Sequence, residues 1–97
     1  MDQTIAKKTA KLLLDTQSIM INTKEPFTYT SGKIGPTYCD MRRLISLPET
    51  RKISMDDAAE LIKPLGVNHL AGGETAGIPY AAFLAERLDN AMLYVRK

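Results

Sequence analysis

A polar cluster is the first stretch of this 97-residue chain whose side chains could carry chemistry. Hydroxyl, ammonium, carboxylate and guanidinium groups fall within twelve residues, on Ser31, Lys33, Tyr38, Asp40 and Arg42. Alternation along a strand would place Tyr38, Asp40 and Arg42 on one face, where they could bind a polar ligand. An exposed Asp–Arg ion pair, worth under about 1 kcal/mol, is the other explanation for the last two residues.

A glycine-rich segment, residues 72–77, is the second such stretch and reads Gly-Gly-Glu-Thr-Ala-Gly. It lies between a predicted strand and a predicted helix, where open α/β sheets bind ligands and free amide groups suit phosphate oxygens. No Gly-Lys-Ser/Thr follows, so it is not a Walker P-loop, and its glycine spacing does not fit a dinucleotide-binding fingerprint. The segment indicates either an anion-binding loop or a tight βα turn capped by Thr75.

The single cysteine and the single histidine add little further chemistry. Cys39 is expected to be a small buried residue rather than a nucleophile, because one histidine gives no support for a Cys–His pair. His69 lies in an apolar run and is expected to be packed or at a sheet edge. No Cys/His cluster has the spacing of a structural zinc site.

The composition limits the classes of protein to which this chain could belong. Hydrophobic residues make up 44% of the chain and charged residues 25%, as in soluble globular proteins. The net charge of +2 is too small to indicate nucleic acid as a partner. The sequence shows neither a signal peptide nor an apolar run of membrane-spanning length, and one cysteine cannot form an internal disulfide. We therefore expect a cytoplasmic protein without a nucleic-acid or membrane partner.

The elements that must position these groups follow from periodicity and breakers. Apolar residues recur every seven positions over residues 3–21 and predict a helix. Residues 27–30 and 37–41 are rich in β-formers and predict the two strands of a hairpin. A turn at residues 46–50 leads into a second helix that ends at Pro64. A strand is predicted at residues 67–71, a helix at 78–88 and a strand covered on both faces at 91–95. Together they make a right-handed βαβ unit.

Two motifs in this order resemble a known family. Residues 27–42 follow the pattern Phe-x-x-x-Ser-Gly-x-x-x-Pro-x-Tyr-x-Asp-x-Arg, and Ser-Leu-Pro follows at residues 46–48. Residues 72–79 read Gly-x-x-Thr-Ala-Gly-Ile-Pro, and residues 92–97 read Met-Leu-Tyr-Val-Arg-Lys. The chain thus resembles the amino-terminal half of orotate phosphoribosyltransferases. The hairpin pattern is specific to these enzymes, whereas the strand–loop–helix pattern is shared by type I phosphoribosyltransferases generally.

The resemblance implies an activity, a cofactor and partners. Family members transfer phosphoribosyl from phosphoribosyl diphosphate to N1 of orotate, giving orotidine 5′-monophosphate and pyrophosphate in pyrimidine biosynthesis. Mg²⁺ is bound with phosphoribosyl diphosphate and not by a protein cluster. A homodimer with active sites shared across subunits is implied as well.

The family's site residues are carried over to matching positions only. The orotate-binding residues are Ser31, Gly32, Tyr38 and Cys39. The pyrophosphate-binding residues are Glu74, Thr75, Ala76, Gly77, Arg96 and Lys97. Arg96 and Lys97 are also the catalytic residues, because they match the start of a mobile basic loop that reaches the neighbouring subunit's site.

Two features depart from the family. Thr30 and Ala76 stand where one branch of the family carries lysines. The family's 5′-phosphate motif, an acidic strand followed by a Thr/Gly-rich loop, is expected downstream of residue 97, so residues 1–97 alone are expected to be inactive. A non-catalytic ligand-binding or regulatory remnant and a dimerisation module are the alternative functions.

The predicted fold class is α/β. An N-terminal helix and hairpin lobe, residues 1–50, precedes the opening βαβ of an incomplete type I phosphoribosyltransferase sheet, residues 51–97. Both lobes belong to a single partial domain.

Overall fold

The computed structural model describes residues 3–96. These residues divide into two compact units, 3–47 and 48–96. Among residues 3–96, no helix combines the length and the apolar character that crossing a membrane requires.

The first unit begins with a helix that is shorter than predicted. Helix α1 covers Gln3–Asp15, and Ile19–Ile21 forms strand β1, so the predicted helix over residues 3–21 is wrong in its last third. Gln17 adopts a left-handed φ of 60°, and the Thr16 hydroxyl donates to the Leu12 carbonyl at 2.8 Å. The left-handed residue and this hydrogen bond end the helix before the β-branched residues of β1, which favour an extended backbone.

The hairpin is present, but its strands have different partners from those predicted. Strand β2 (Phe27–Thr28) pairs with β3 (Ile34–Gly35), and β4 (Thr37–Cys39) pairs antiparallel with β1. Residues 27–30 therefore do not pair with residues 37–41. The turn is tighter than predicted because Gly32 takes φ +88° and the Tyr29 amide donates to the Lys33 carbonyl at 2.8 Å. Pro36 has no amide hydrogen, so it separates β3 from β4.

Strand β4 ends earlier than predicted because a helix begins there. Asp40 is the N-cap of helix α2 (Met41–Ser46), and its side chain accepts from the Arg42 amide. An aspartate at this position satisfies an amide that the helix itself leaves unpaired. The predicted alternation of Tyr38, Asp40 and Arg42 along one strand is therefore wrong. Leu44 of α2 is buried, at 2% exposure.

The second unit opens with helix α3, Pro48–Ile62. A proline suits a first helical position, so the helix begins within the predicted turn at residues 46–50. A 3-10 turn, Lys63–Leu65, and Gly66 at φ 67° end it, which confirms the predicted end at Pro64. Met55 lies in the core of this unit, at 3% exposure.

A βαβ unit completes the fold and confirms the predicted parallel pair. Strand β5 covers His69–Gly73, helix α4 Gly77–Leu88 and strand β6 Ala91–Val95. The two strands pair in parallel, from His69 opposite Ala91 to Gly73 opposite Val95. The β5 strand lies two residues later than predicted, and the hand of the crossover stays a prediction.

Helix α4 packs on one face of this two-stranded sheet, with Ala81 and Ala85 buried. Leu93 is 50% exposed and Val95 is 58% exposed, so the prediction that β6 is covered on both faces is wrong for the described residues. Within residues 48–96, β6 pairs with one strand, β5, and packs against α4.

Candidate functional site

The four predicted orotate-binding residues lie in two places in the first unit. Ser31 and Gly32 form the tip of the β2–β3 turn, where the Gly32 amide donates to the Tyr29 carbonyl at 2.8 Å. Tyr38 and Cys39 are the last two residues of β4. All four are exposed, so the expectation of a buried Cys39 is wrong. Cys39 is exposed because β4 ends beside it and the chain turns into α2.

An aromatic contact supports the tyrosine of this set. The rings of Phe27 and Tyr38 lie with centroids 5.7 Å apart and a tilt of 35°. Phe27 is half-buried, whereas Tyr38 is 37% exposed. A tyrosine ring that is in contact with a second ring and still accessible can stack on a planar ligand, and its hydroxyl can hydrogen-bond the ligand's edge.

Asp40 and Arg42 form an ion pair at the start of α2. An exposed ion pair was one of the two explanations of these residues that the sequence left open, beside binding of a polar ligand. The Arg42 Nε lies 3.2 Å from Asp40 Oδ1. The hydrogen bond from the Arg42 side chain lowers the pKa of the Asp40 carboxyl below its usual value, while burial opposes this shift. The same hydrogen bond raises the pKa of Arg42. The Arg42 side chain is 73% exposed, and its neighbour Arg43 donates from Nε to the Thr16 carbonyl.

The glycine-rich segment joins β5 to α4 in the second unit. Glu74, Thr75 and Ala76 form an exposed loop, and Gly77 is the first residue of α4. The Glu74 amide donates to the Val95 carbonyl at 2.9 Å, which ties the loop to the end of β6. The peptide bond between Glu74 and Thr75 is cis.

Thr75 does not cap α4, so the capped-turn explanation of this segment is wrong. Ala76 is the N-cap residue, with no side-chain hydrogen bond, and Thr75 contributes only its carbonyl, which accepts from the Ile78 amide at 3.2 Å. The amino end of a helix carries a partial positive charge that favours anions.

The remaining candidates lie apart from these two sets. Arg96 is exposed and follows directly after β6, whereas Lys97 lies outside the described residues. His69 is exposed at the first position of β5. Between residues 3 and 96, no group of three or more His, Cys, Asp or Glu side chains could hold a metal ion.

Comparison with known proteins finds relatives of similar sequence. The orotate phosphoribosyltransferase of Jannaschia sp. (strain CCS1) is 48% identical over 100 residues, which cover 99% of this chain and 44% of that protein. The orotate phosphoribosyltransferase of Coxiella burnetii is 47% identical over 93 residues, which cover 94% of this chain and 44% of that protein. The chain is homologous to the amino-terminal part of orotate phosphoribosyltransferases. It spans less than half the length of these relatives, and no protein-family model matches it.

The fold agrees with this family. The crystal structure of orotate phosphoribosyltransferase from Aeropyrum pernix superposes with a TM-score of 0.75 at 30% identity, over 91% of this chain and 49% of that one. The predicted α/β class, with an N-terminal helix, paired strands and the parallel strands of a type I phosphoribosyltransferase, is confirmed.

The two sequence motifs thus correspond to two sets of residues, one in each unit. Sequence reasoning missed the aromatic residues that support the first set, Phe27 and Tyr29. The available signal was their spacing of two residues, which places one large ring on β2 and the other directly after it, at the start of the turn.

Proposed function

We propose that this chain forms the amino-terminal half of an orotate phosphoribosyltransferase. That enzyme transfers phosphoribosyl from phosphoribosyl diphosphate to orotate and releases orotidine 5′-monophosphate and pyrophosphate. The observation that carries the proposal is the 48% identity to a protein of this name over 99% of the chain.

The hairpin set is proposed to bind orotate. Orotate is a planar ring, and the exposed Tyr38 ring offers it a stacking surface. Gly32 has a left-handed φ of 88° and no side chain, so the backbone of the turn can approach the ring closely. Ser31 and Cys39 are exposed beside these residues in the chain and complete the set.

The loop set is proposed to bind the pyrophosphate part of the substrate. Glu74, Thr75, Ala76 and Gly77 lie at the amino end of α4, which favours an anion. Arg96 and Lys97 are proposed to add positive charge to the departing pyrophosphate. Charge stabilisation of this kind is a large contribution to catalysis where bond cleavage leaves an anion, and exclusion of water strengthens it.

Mg²⁺, a homodimer and a cytoplasmic location are proposed with this activity. Mg²⁺ would arrive with phosphoribosyl diphosphate and supply further charge neutralisation, and no residue of this chain is assigned to it. A homodimer would let Arg96 and Lys97 act in the neighbouring subunit's site. Orotate and phosphoribosyl diphosphate are the proposed partners, and the net charge of +2 gives no reason to add nucleic acid.

Nuclear magnetic resonance of the 15N-labelled chain tests the two binding sets separately. Orotate is expected to shift the amide signals of the hairpin set, and pyrophosphate those of residues 74–77. Tyr38→Leu is expected to weaken orotate binding about tenfold, the order of one aromatic stacking contact. Tyr94→Leu is the matched control, because Tyr94 is 52% exposed and lies in the other unit. Orotate that shifts no hairpin signal, or that binds equally weakly to both variants, would contradict the proposal.

A further inference from the structure

Tyr29 connects the two small sheets of the first unit, which share no backbone hydrogen bonds between strands among the described residues. The hairpin tip belongs to the β2–β3 sheet, whereas Tyr38 and Cys39 belong to the separate β1–β4 sheet. The Tyr29 hydroxyl donates to the carbonyl of Thr37, the first residue of β4. The same residue closes the turn, because its amide donates to the Lys33 carbonyl and its carbonyl accepts from the Gly32 amide, each at 2.8 Å.

Gly35 gives the Tyr29 ring the space that this connection needs. A Cβ atom built on Gly35 would overlap the Tyr29 hydroxyl oxygen and would lie 2.8 Å from ring atoms Cε2 and Cζ. Real Cβ atoms essentially never lie so close to another atom. The ring therefore lies directly against the backbone of β3, and a side chain at residue 35 would displace it.

We propose that Tyr29 is a positioning residue for orotate binding. Through its hydrogen bond to Thr37 it fixes the tip, with Ser31 and Gly32, relative to Tyr38 and Cys39 on β4. The Phe27–Tyr38 ring contact is a further link between the two sheets, and Pro36 joins β3 to β4 along the chain. The inference rests on the proposed function for its ligand, whereas the connection itself is a property of the free chain.

The first test removes only the hydroxyl. Tyr29→Phe is expected to weaken orotate binding about fivefold, the order of one hydrogen bond, and to leave pyrophosphate binding at residues 74–77 unchanged. In the free chain, 15N relaxation is expected to show larger motion of the amides of residues 31–33. Tyr94→Phe, the matched control, is expected to change neither measurement.

The second test is a double-mutant cycle on the ring and the glycine. Gly35→Ala is expected to weaken orotate binding more than tenfold, because the new methyl group displaces the Tyr29 ring. When leucine replaces Tyr29, that clash is absent, so Gly35→Ala is expected to have little additional effect. Strong coupling of this kind is what neighbouring residues show, whereas distant residues give additive effects.

The outcomes separate this inference from the proposed function. A wild-type chain that binds no orotate would refute the proposed function, and with it the positioning of that ligand. If the chain binds orotate, but Tyr29→Phe changes neither the affinity nor the motion of the tip, the inference is overturned and the proposed function stands. Additive effects of the two substitutions in the cycle would also overturn it.

Discussion

Replacing Gly72 with alanine is expected to destabilise the second unit strongly. Gly72 is buried in β5, at the point where the strand passes the first turn of α4. A Cβ atom at this position would lie 2.5 Å from the Gly77 carbonyl oxygen, 2.9 Å from the Gly77 carbonyl carbon and 2.9 Å from Ala81 Cβ. None of these atoms is the end of a flexible side chain, so the helix itself would have to move away from the strand.

The magnitude follows from the nature of these contacts. Overpacking of a well-packed core costs typically about 1–3 kcal/mol. Because two of the three close atoms are backbone atoms, we expect a loss near the upper end, about 3 kcal/mol. For a domain of this size such a loss lowers the melting temperature by roughly 12–24 °C.

Gly73→Ala is the matched control, one residue further along the same strand. A Cβ atom on Gly73 would meet nothing within 4 Å, so its stability should stay within about 0.5 kcal/mol of wild type or rise slightly. Urea unfolding followed by far-ultraviolet circular dichroism measures both variants, and an unchanged slope shows that only stability has changed. If Gly72→Ala and Gly73→Ala unfold with equal free energies, the inferred close approach of strand and helix is wrong.

Three further predictions concern the sheet face, the α2 cap and the basic residue after β6. Sedimentation is expected to show self-association at micromolar concentrations, weakened by Leu93→Lys, because Leu93 and Val95 are exposed on β6, an edge strand of the two-stranded sheet. A well-folded wild-type monomer would count against this. Since Arg42 lowers the pKa of Asp40, the resulting stability is present above about pH 4 and is lost as the pH falls through the lowered pKa. The melting temperature should therefore fall less in acid for Asp40→Asn, which still caps α2, and parallel curves would refute the linkage. In a chimera of this chain with the remaining part of a relative, Arg96→Ala should cost about 2–4 kcal/mol of transition-state stabilisation; unchanged steady-state turnover would remove Arg96 from the site.

The sequence predicted the second unit better than the first, and the reason is the range of the contacts. The βαβ unit is built from neighbouring segments, so an apolar run at residues 91–95 and a glycine-rich segment before a helix were sufficient to predict it. The errors in this unit were the coverage of β6, the start of β5 and the cap of α4. The end of α3 could also be predicted from local sequence, because Pro64 and Gly66 stop a helix by their own conformations.

In the first unit, the secondary structure depends on which strands pair, and local sequence patterns do not show this. Ile19 and Met20 continue the seven-residue spacing of α1, yet they are extended because β4 supplies hydrogen-bond partners. Residue preferences identify strands but not which strands pair, so the hairpin was predicted with the wrong partner for β4. The motif predicted residue types for the orotate set. The contacts of Phe27 and Tyr29 that hold this set depend on distances across two sheets, which spacing along the chain does not contain.

The two candidate sets use different means to hold their groups in place, and each suits its proposed ligand. The proposed anion site consists of backbone amides beside the close approach of Gly72 to Gly77, so we expect the loop to need glycines more than side chains. The proposed site for a planar ring consists of side-chain faces, and the exposed Tyr38 face is supported by its contact with Phe27. Substitutions in the loop should therefore act through backbone geometry, whereas substitutions in the hairpin should act through the loss of particular aromatic contacts.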